Sequence, residues 1–276
     1  MNIRSIKNRA LEVLDTNKQS FIRVLIILLV LDVIPSLFTA SNAFIRIIRF
    51  ALMIVFLTVS HGKVVSSLKM VRNNASEVKD EDAFVGFKRI QELFPTYFVT
   101  TVVEIAIIFV ATLVIGVISA ILFGDILVSI FNTIAYSQSE SAIAYALLSA
   151  GSSIIFVMLF FVIVGAIIGL IASAYLFPVP YVLEQYHITG FDAVKTSVRM
   201  MKGHVFDYIK LFFSFFGWML LIGFVEAILM RFIGNSLIIS IITGIIAIYT
   251  YMPHYTLSMT VLFEEISYYY FNQVGE

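Results

Sequence analysis

The sequence predicts an all-α, polytopic membrane protein with six transmembrane helices, and three observations support this fold class. Apolar residues make up 60% of the 276 positions and charged residues only 13%, whereas soluble domains are about 45–50% apolar and about 25% charged. No Lys or Arg occurs between Arg89 and Lys195. Uninterrupted apolar runs reach about 20 residues, the length that a helix needs to cross a bilayer, while strands of a membrane barrel would alternate polar and apolar residues.

Six transmembrane segments are expected within a single membrane domain over 1–276. Their approximate limits are 21–40, 43–61, 97–123, 151–178, 208–230 and 237–262. The less hydrophobic stretch 125–150 connects the third segment to the fourth. Its part Ile126–Ile134 is expected either to lie flat on the membrane or to extend a helix. A cleavable signal peptide is an alternative for the first segment, but its polar leader of about 20 residues favours a retained helix.

The distribution of positive charge predicts the orientation. Fifteen of the 18 Lys and Arg residues lie in the leader, in the connection between segments two and three, or in that between segments four and five. Only Arg46, Arg49 and Arg231 lie on the opposite side. Positive residues stay on the cytoplasmic side of bacterial membranes. We therefore expect a multi-pass membrane protein with cytoplasmic N- and C-termini.

Three charged, amphipathic stretches precede the three pairs of segments. They cover roughly 3–18, 80–94 and 190–205, and we expect them to form interfacial helices on the cytoplasmic face. Ala83 and Arg89 recur at the same offset as Ala193 and Arg199. This pattern raises two interpretations: three repeats of an interfacial helix with a helical hairpin, or a coincidence common to six-span proteins.

Polar groups inside the apolar segments are candidates for function. Asp32, Glu104 and Glu226 each lie within a predicted span, where an unpaired charge costs about 2.5–3.5 kcal/mol on insertion scales. One hypothesis is a proton or cation path across the membrane. The alternative is that each carboxyl group is protonated or hydrogen-bonded to a neighbouring helix. His254 is a further polar residue near the end of the last span.

Two other groups of residues are candidate contact sites. Gly165, Gly169 and Ser173 recur every four residues on one face of the fourth segment, a spacing that favours close helix packing or else a ligand groove. Lys195, Arg199 and Lys202 lie in the third amphipathic stretch, where each would gain about 1 kcal/mol from anionic lipid headgroups.

The sequence lacks the motifs of several common classes of enzyme, metal site and cofactor site. Cysteine is absent, which excludes thiolate chemistry, and the four histidines do not have the spacing of metal ligands. No metalloprotease, nucleophile-elbow, phosphate-loop or dinucleotide motif occurs. We therefore expect no metal, no cofactor and no enzymatic activity. The partners expected are membrane lipids and either a membrane-protein partner or a second copy of the chain, but no nucleic acid.

Five ordered stretches of residues carry a family resemblance. The stretch Ala174–Leu183 ends in a proline–tyrosine turn and is followed by Ala193–His204 and Leu211–Trp218. Together with Asp82–Lys88 and Pro253–Glu265, this resembles a bacterial membrane-protein family of unknown function (domain nine-seven-five) over roughly 80–275. It also looks distantly like the membrane domain of some glycerophosphodiester phosphodiesterases. The resemblance implies a fold and a plasma-membrane location, but no reaction and no catalytic residues.

The sequence leaves three functions to weigh. The first is non-enzymatic binding or movement of a hydrophobic or amphipathic ligand, such as a lipid or a membrane-active peptide. The second is a proton-coupled transporter that uses the three carboxyl groups. The third is an accessory subunit of another membrane complex.

Overall fold

The structure is a computed structural model that describes residues 1–38, 43–72, 74–136 and 151–273. These residues form α-helices joined by turns and short 3-10 helices, without strands in the described ranges. The helices are α1 (Ile3–Thr16), α2 (Lys18–Val33), α3 (Ala43–Phe56), α4 (His61–Val71), α5 (Val85–Lys88), α6 (Ile90–Tyr136), α7 (Gly151–Leu176), α8 (Val179–Tyr186), α9 (Gly190–Met200), α10 (Val205–Phe213), α11 (Phe216–Ile233), α12 (Ser236–Thr250) and α13 (Met252–Gln273).

In the described part of the chain, five helical stretches are long and apolar enough to cross a bilayer, or six if one bent pair is a single span. The five are Lys18–Leu37, Phe44–Val71, Ile90–Asp125, Ile155–Tyr186 and Phe216–Ile233. The bent pair joins Ser236–Thr250 to Met252–Asn272 at 62°. These stretches follow the order of the six predicted segments, and the all-α polytopic class is confirmed.

Prolines explain two helix breaks that the predicted limits of the transmembrane segments do not include. α7 ends at Leu176, and α8 follows with Pro180 in its first turn. Pro253 lies in the first turn of α13, directly after the break that ends α12. Proline has no N–H to donate, so the first turn of a helix accepts it while the interior does not. The sixth segment, expected as one span over 237–262, is consequently bent by 62° near Tyr251.

The fifth predicted segment is divided as well. α10 covers its beginning, and the apolar helix α11 starts only at Phe216. Between them, the Ser214 hydroxyl donates to the Leu211 carbonyl at 2.7 Å, and local bonds of this kind compete with helix continuation. α11 ends at Gly234 with a φ of 66°, and Asn235 caps the start of α12.

The connection 125–150 begins as an extension of a helix. α6 continues through Ile126–Ile134 to Tyr136, past a non-helical residue at Phe123. Ile126–Ile134 is therefore helical and follows the kink at Phe123, and whether it lies flat on the membrane stays a prediction. The remainder of that connection, 137–150, lies outside the described residues.

The chain divides into two compact units. Unit 1 contains Met1–Thr100 and Ala174–Glu276, and unit 2 contains Thr101–Ser173. In unit 2, the rings of Phe123 and Phe160 meet edge to face at 5.8 Å. The expectation of one membrane domain over the whole chain stays a prediction.

The amphipathic helices of unit 1 turn their apolar faces toward the protein. α1 packs mainly on α13 and buries Ile6, Ala10 and Leu14. α9 packs on α8 and α13 and buries Ala193 and Val194, among others. Intramolecular packing therefore accounts for the helical periodicity of these two stretches. Contact of their outer faces with a bilayer stays a prediction.

The second amphipathic stretch, 80–94, differs from the continuous helix that was expected. Asp80–Phe84 is a 3-10 helix, α5 has a single turn, and Ile90 already begins α6. The cause is a close approach to the chain before α4. A Cβ on Gly86 would lie 2.6 Å from the Thr58 carbonyl carbon. The backbone can follow this path because glycine has no side chain at that point.

Candidate functional site

Unit 1 contains a partly open cavity of about 220 Å³, which we call the tyrosine cavity. Four phenol rings and one lysine lie among its otherwise mostly apolar wall. The lining residues are Ser60, Lys63, Val64, Tyr97, Phe177, Pro180, Tyr181, Tyr208, Tyr255, Thr256 and Met259. They come from α4 and the turn before it, from the start of α6, from α8, α10 and α13. The proline break before α8 places Phe177 and Pro180 in the wall.

Contacts between the rings hold this wall in place. Phe177 lies 5.0 Å from the ring of Tyr208, and Tyr181 stacks on Phe263 at 4.8 Å. The Tyr181 hydroxyl is 3.2 Å from Thr260 Oγ1, and Tyr255 is hydrogen-bonded to Tyr208. Aromatic pairs at such distances each contribute about 0.5–1.5 kcal/mol beyond area burial. These contacts fix the positions of the rings relative to one another.

Lys63 connects the tyrosine cavity with a smaller one. Lys63 and Ser60 also line a cavity of about 120 Å³, which we call the Asp32 cavity because Asp32 contributes its carboxyl group. The two charges interact electrostatically. In the described ranges, however, no carboxylate oxygen lies within 4 Å of the Lys63 ammonium, which is the limit for an ion pair. The ammonium also donates no hydrogen bond there. Lys63 therefore belongs to the walls of both cavities without a close charged partner among the described residues.

A network of polar side chains extends from the tyrosine cavity through His61. His61 is fully buried, with 0% of its surface exposed. Its Nδ1 lies 2.9 Å from the Tyr97 hydroxyl, and its Nε2 lies 2.9 Å from Glu184. Because a carboxylate only accepts, Nε2–H donates to Glu184, and Nδ1 is hydrogen-bonded to the Tyr97 hydroxyl. Three helices, α4, α6 and α8, are joined by this one ring.

Arg89 completes the network on the far side of Glu184. Its guanidinium donates to Glu184 at 2.7 Å and to Glu92 at 2.6 Å. Hydrogen bonds to Glu92 and then to Glu184 raise the pKa of the Arg89 guanidinium above its ordinary value, despite its partial burial. The arginine therefore stays charged and balances the carboxylate that His61 contacts.

The three predicted intramembrane carboxyl groups have separate environments. Asp32 lines the Asp32 cavity beside Lys63. Glu226 lies on the exposed surface of α11 and lines neither of these two cavities. Glu104 belongs to unit 2 and is exposed there. Only Asp32 therefore lies at the site described here.

His254 and the predicted headgroup residues lie elsewhere in unit 1. His254 Nε2 donates to the Lys7 carbonyl at 3.0 Å, and its ring packs edge-on against Phe215; it fixes α1 to α13. Lys195, Arg199 and Lys202 are all exposed along α9 and just after it. That exposure leaves them accessible, and contact with lipid headgroups stays a prediction.

The small-residue face of the fourth segment is open within the described structure. A Cβ on Gly165 or Gly169 would meet nothing within 4 Å, and the Ser173 hydroxyl donates to the Leu170 carbonyl of its own helix. Neither the packing interpretation nor the groove interpretation is decided by these contacts. Both stay predictions.

Sequence reasoning missed the side chains that form the site. Lys63 was included only among the positive charges of the connection after the second span, and His61 only among the histidines without the spacing of metal ligands. Tyr97, Glu184 and Arg89 carried no prediction as site residues. One available signal was the position of His61 and Lys63 directly after an apolar run, two residues apart.

The comparisons with known proteins support a family assignment and no activity. No curated protein and no solved structure matches the chain, and likeness to the membrane domain of glycerophosphodiester phosphodiesterases is not shown. A family model matches residues 1–269. It therefore reaches back across the first span, beyond the 80–275 over which the resemblance was expected. The chain, with its apolar helices around the tyrosine cavity, belongs to the family described as "Protein of unknown function (DUF975)".

Proposed function

We propose that this chain is a non-enzymatic protein of a bacterial plasma membrane that binds an amphipathic ligand in the tyrosine cavity. The positive-inside distribution of Lys and Arg supports cytoplasmic N- and C-termini. The ligand is a lipid or another membrane-active molecule, which the chain retains or helps to move.

One observation carries the proposal: a partly open cavity whose wall combines apolar residues with four tyrosines and one lysine. Ligand sites are typically apolar concavities with a few convergent polar groups. The volume of about 220 Å³ is roughly seven times that of a water molecule in the liquid. It accommodates a headgroup and the first part of a chain, while the opening lets the rest extend outward.

The transporter is a second candidate because Asp32 and Lys63 interact beside the same cavity. A proton-coupled transporter would lose pH-dependent uptake in Asp32→Asn or Glu104→Gln while expression stayed normal. If both variants transported like wild type, this candidate would be excluded.

Native mass spectrometry tests the proposed function directly. The chain would be extracted from its host into lipid nanodiscs, and the mass of any retained molecule would be measured. We expect a discrete bound amphiphile above the background of bulk lipid. A protein bound at fixed ratio would instead indicate an accessory subunit.

A cavity-filling variant connects that molecule to the site. Val64 is 5% exposed and lines the tyrosine cavity, so Val64→Phe is expected to occupy ligand volume and reduce retention. Val114→Phe is the matched control, because Val114 is 49% exposed in unit 2. Equal retention by both folded variants would refute the proposed site.

A further inference from the structure

We infer that the ligand of the tyrosine cavity is an anionic amphiphile, with a carboxylate or phosphate headgroup bound by Lys63 and an apolar chain along Phe177, Pro180 and Met259. This inference rests on the proposed function and names the chemical class of its ligand.

The first argument is the state of the Lys63 ammonium. Lys63 lines both cavities of unit 1 and is only partly exposed, and its ammonium has neither an ion pair nor a hydrogen bond in the described ranges. A cation removed from water is costly unless it is paired or hydrogen-bonded, and ionisable residues within membranes mark ligand or ion sites. An acid group in the tyrosine cavity supplies the missing partner at contact distance.

The second argument is the chemistry of the surrounding wall. Tyr208 and Tyr255 are hydrogen-bonded to each other in the same cavity, and that bond uses one of their two hydroxyl protons. Phenol hydroxyls donate hydrogen bonds to an anion without adding charge, and bonds to charged acceptors are roughly twice as strong as neutral ones. No Asp or Glu lines the tyrosine cavity, so nothing in its wall repels an acid group.

The third argument is the position of Asp32. Its carboxyl group attracts Lys63 from the opposite cavity and therefore competes with the ligand headgroup for the same ammonium. Removal of the Asp32 charge is expected to leave anion binding unchanged or tighter. Removal of the Lys63 charge is expected to weaken it.

Equilibrium binding of radiolabelled hexadecanoate to the full chain in a nonionic detergent tests the inference. The competitors are hexadecyl phosphate, hexadecanol and inorganic phosphate. We expect the two anionic amphiphiles to compete with similar strength and hexadecanol to compete at least about tenfold less well, because it lacks a charge-assisted bond to Lys63. Inorganic phosphate alone is expected not to displace hexadecanoate.

Variants assign the effect to Lys63. Lys63→Met is expected to bind hexadecanoate at least about tenfold more weakly while it binds hexadecanol like wild type, which also shows that it is folded. Lys63→Arg keeps the charge and is expected to restore binding. Lys18→Met is the matched control, because Lys18 is exposed at the start of α2.

Each alternative outcome refutes a defined part of the argument. Equal competition by hexadecanol, or wild-type affinity of Lys63→Met for hexadecanoate, would overturn the anionic class and leave the proposed function intact. Displacement by inorganic phosphate at matched concentration would identify a soluble anion and overturn the amphiphile. If no amphiphile binds and Val64→Phe changes nothing, the proposed function itself fails.

Discussion

Substitution of Gly86 by alanine is expected to destabilise unit 1. The added Cβ would lie 2.6 Å from the Thr58 carbonyl carbon and 2.7 Å from Val59 Cα, with the Thr58 oxygen nearer still. All three are backbone atoms, so no side-chain rotation relieves the contact. The same movement would disturb the bond that the Thr58 hydroxyl donates to the Gly86 carbonyl at 2.9 Å.

The magnitude follows from three contributions to the free energy of unfolding. Overpacking of this kind costs about 1–3 kcal/mol, and loss of the Thr58 hydrogen bond costs about 0.5–1.5 kcal/mol. Alanine recovers up to about 1 kcal/mol of helix propensity relative to glycine. The net loss is about 0.5–4.5 kcal/mol, which lowers Tm by about 2–4 °C per kcal/mol for a chain of this size.

Thermal unfolding in detergent, followed by intrinsic fluorescence at a fixed scan rate, measures this loss. Gly223→Ala is the matched control, because nothing lies within 4 Å of a Cβ at that position in α11. We expect the control to keep or slightly raise Tm while Gly86→Ala lowers it. A Tm for Gly86→Ala equal to or above that of Gly223→Ala would refute the close-approach argument.

Further predictions concern charges and orientation. Glu184→Gln weakens the bonds to His61 and Arg89 and is expected to cost about 1–2 kcal/mol in the same unfolding assay; an unchanged Tm would contradict this. Lys69→Met leaves the carboxylate of Asp82, whose side chain is 8% exposed, without its ion-pair partner and is expected to cost about 1–3 kcal/mol. Arg23→Met removes a solvent-exposed ion pair and is expected to cost less than about 1 kcal/mol. A larger loss of stability in Arg23→Met than in Lys69→Met would refute the argument that burial makes the Lys69 pair the stronger one. Because the chain has no cysteine, Asn235→Cys and Glu12→Cys report topology: an impermeant maleimide should label only the former in intact cells, and labelling of Glu12→Cys there would refute the proposed orientation.

The fold class was predictable because the thickness of a bilayer selects the length of apolar runs. The exact ends of the helices were not. They depend on particular groups, such as the Ser214 hydroxyl and the missing N–H of Pro180 and Pro253, which interrupt a run without making it less apolar.

The site was less predictable because its members are far apart in the chain. His61 and Glu184 are 123 residues apart, and Arg89 and Glu184 are 95 apart. Such pairs depend on which helices pack next to each other, and no local spacing of residues in the sequence specifies that packing. Lys63 illustrates the difference: it follows an apolar run and therefore resembles a flanking charge, yet it lies on α4, a separate helix that packs on α13 and lines both cavities.

The packing of α1 on α13 implies a delay during synthesis, because α1 is made long before α13. The His254 bond to the Lys7 carbonyl spans 247 residues, and ribosomes add about 5–20 residues per second. The apolar face of α1, with Ile6, Ala10 and Leu14, therefore waits roughly 12–50 s for its final partner. During that interval the membrane surface is the apolar phase nearest to the growing chain, and an amphipathic helix such as α1 is suited to rest there.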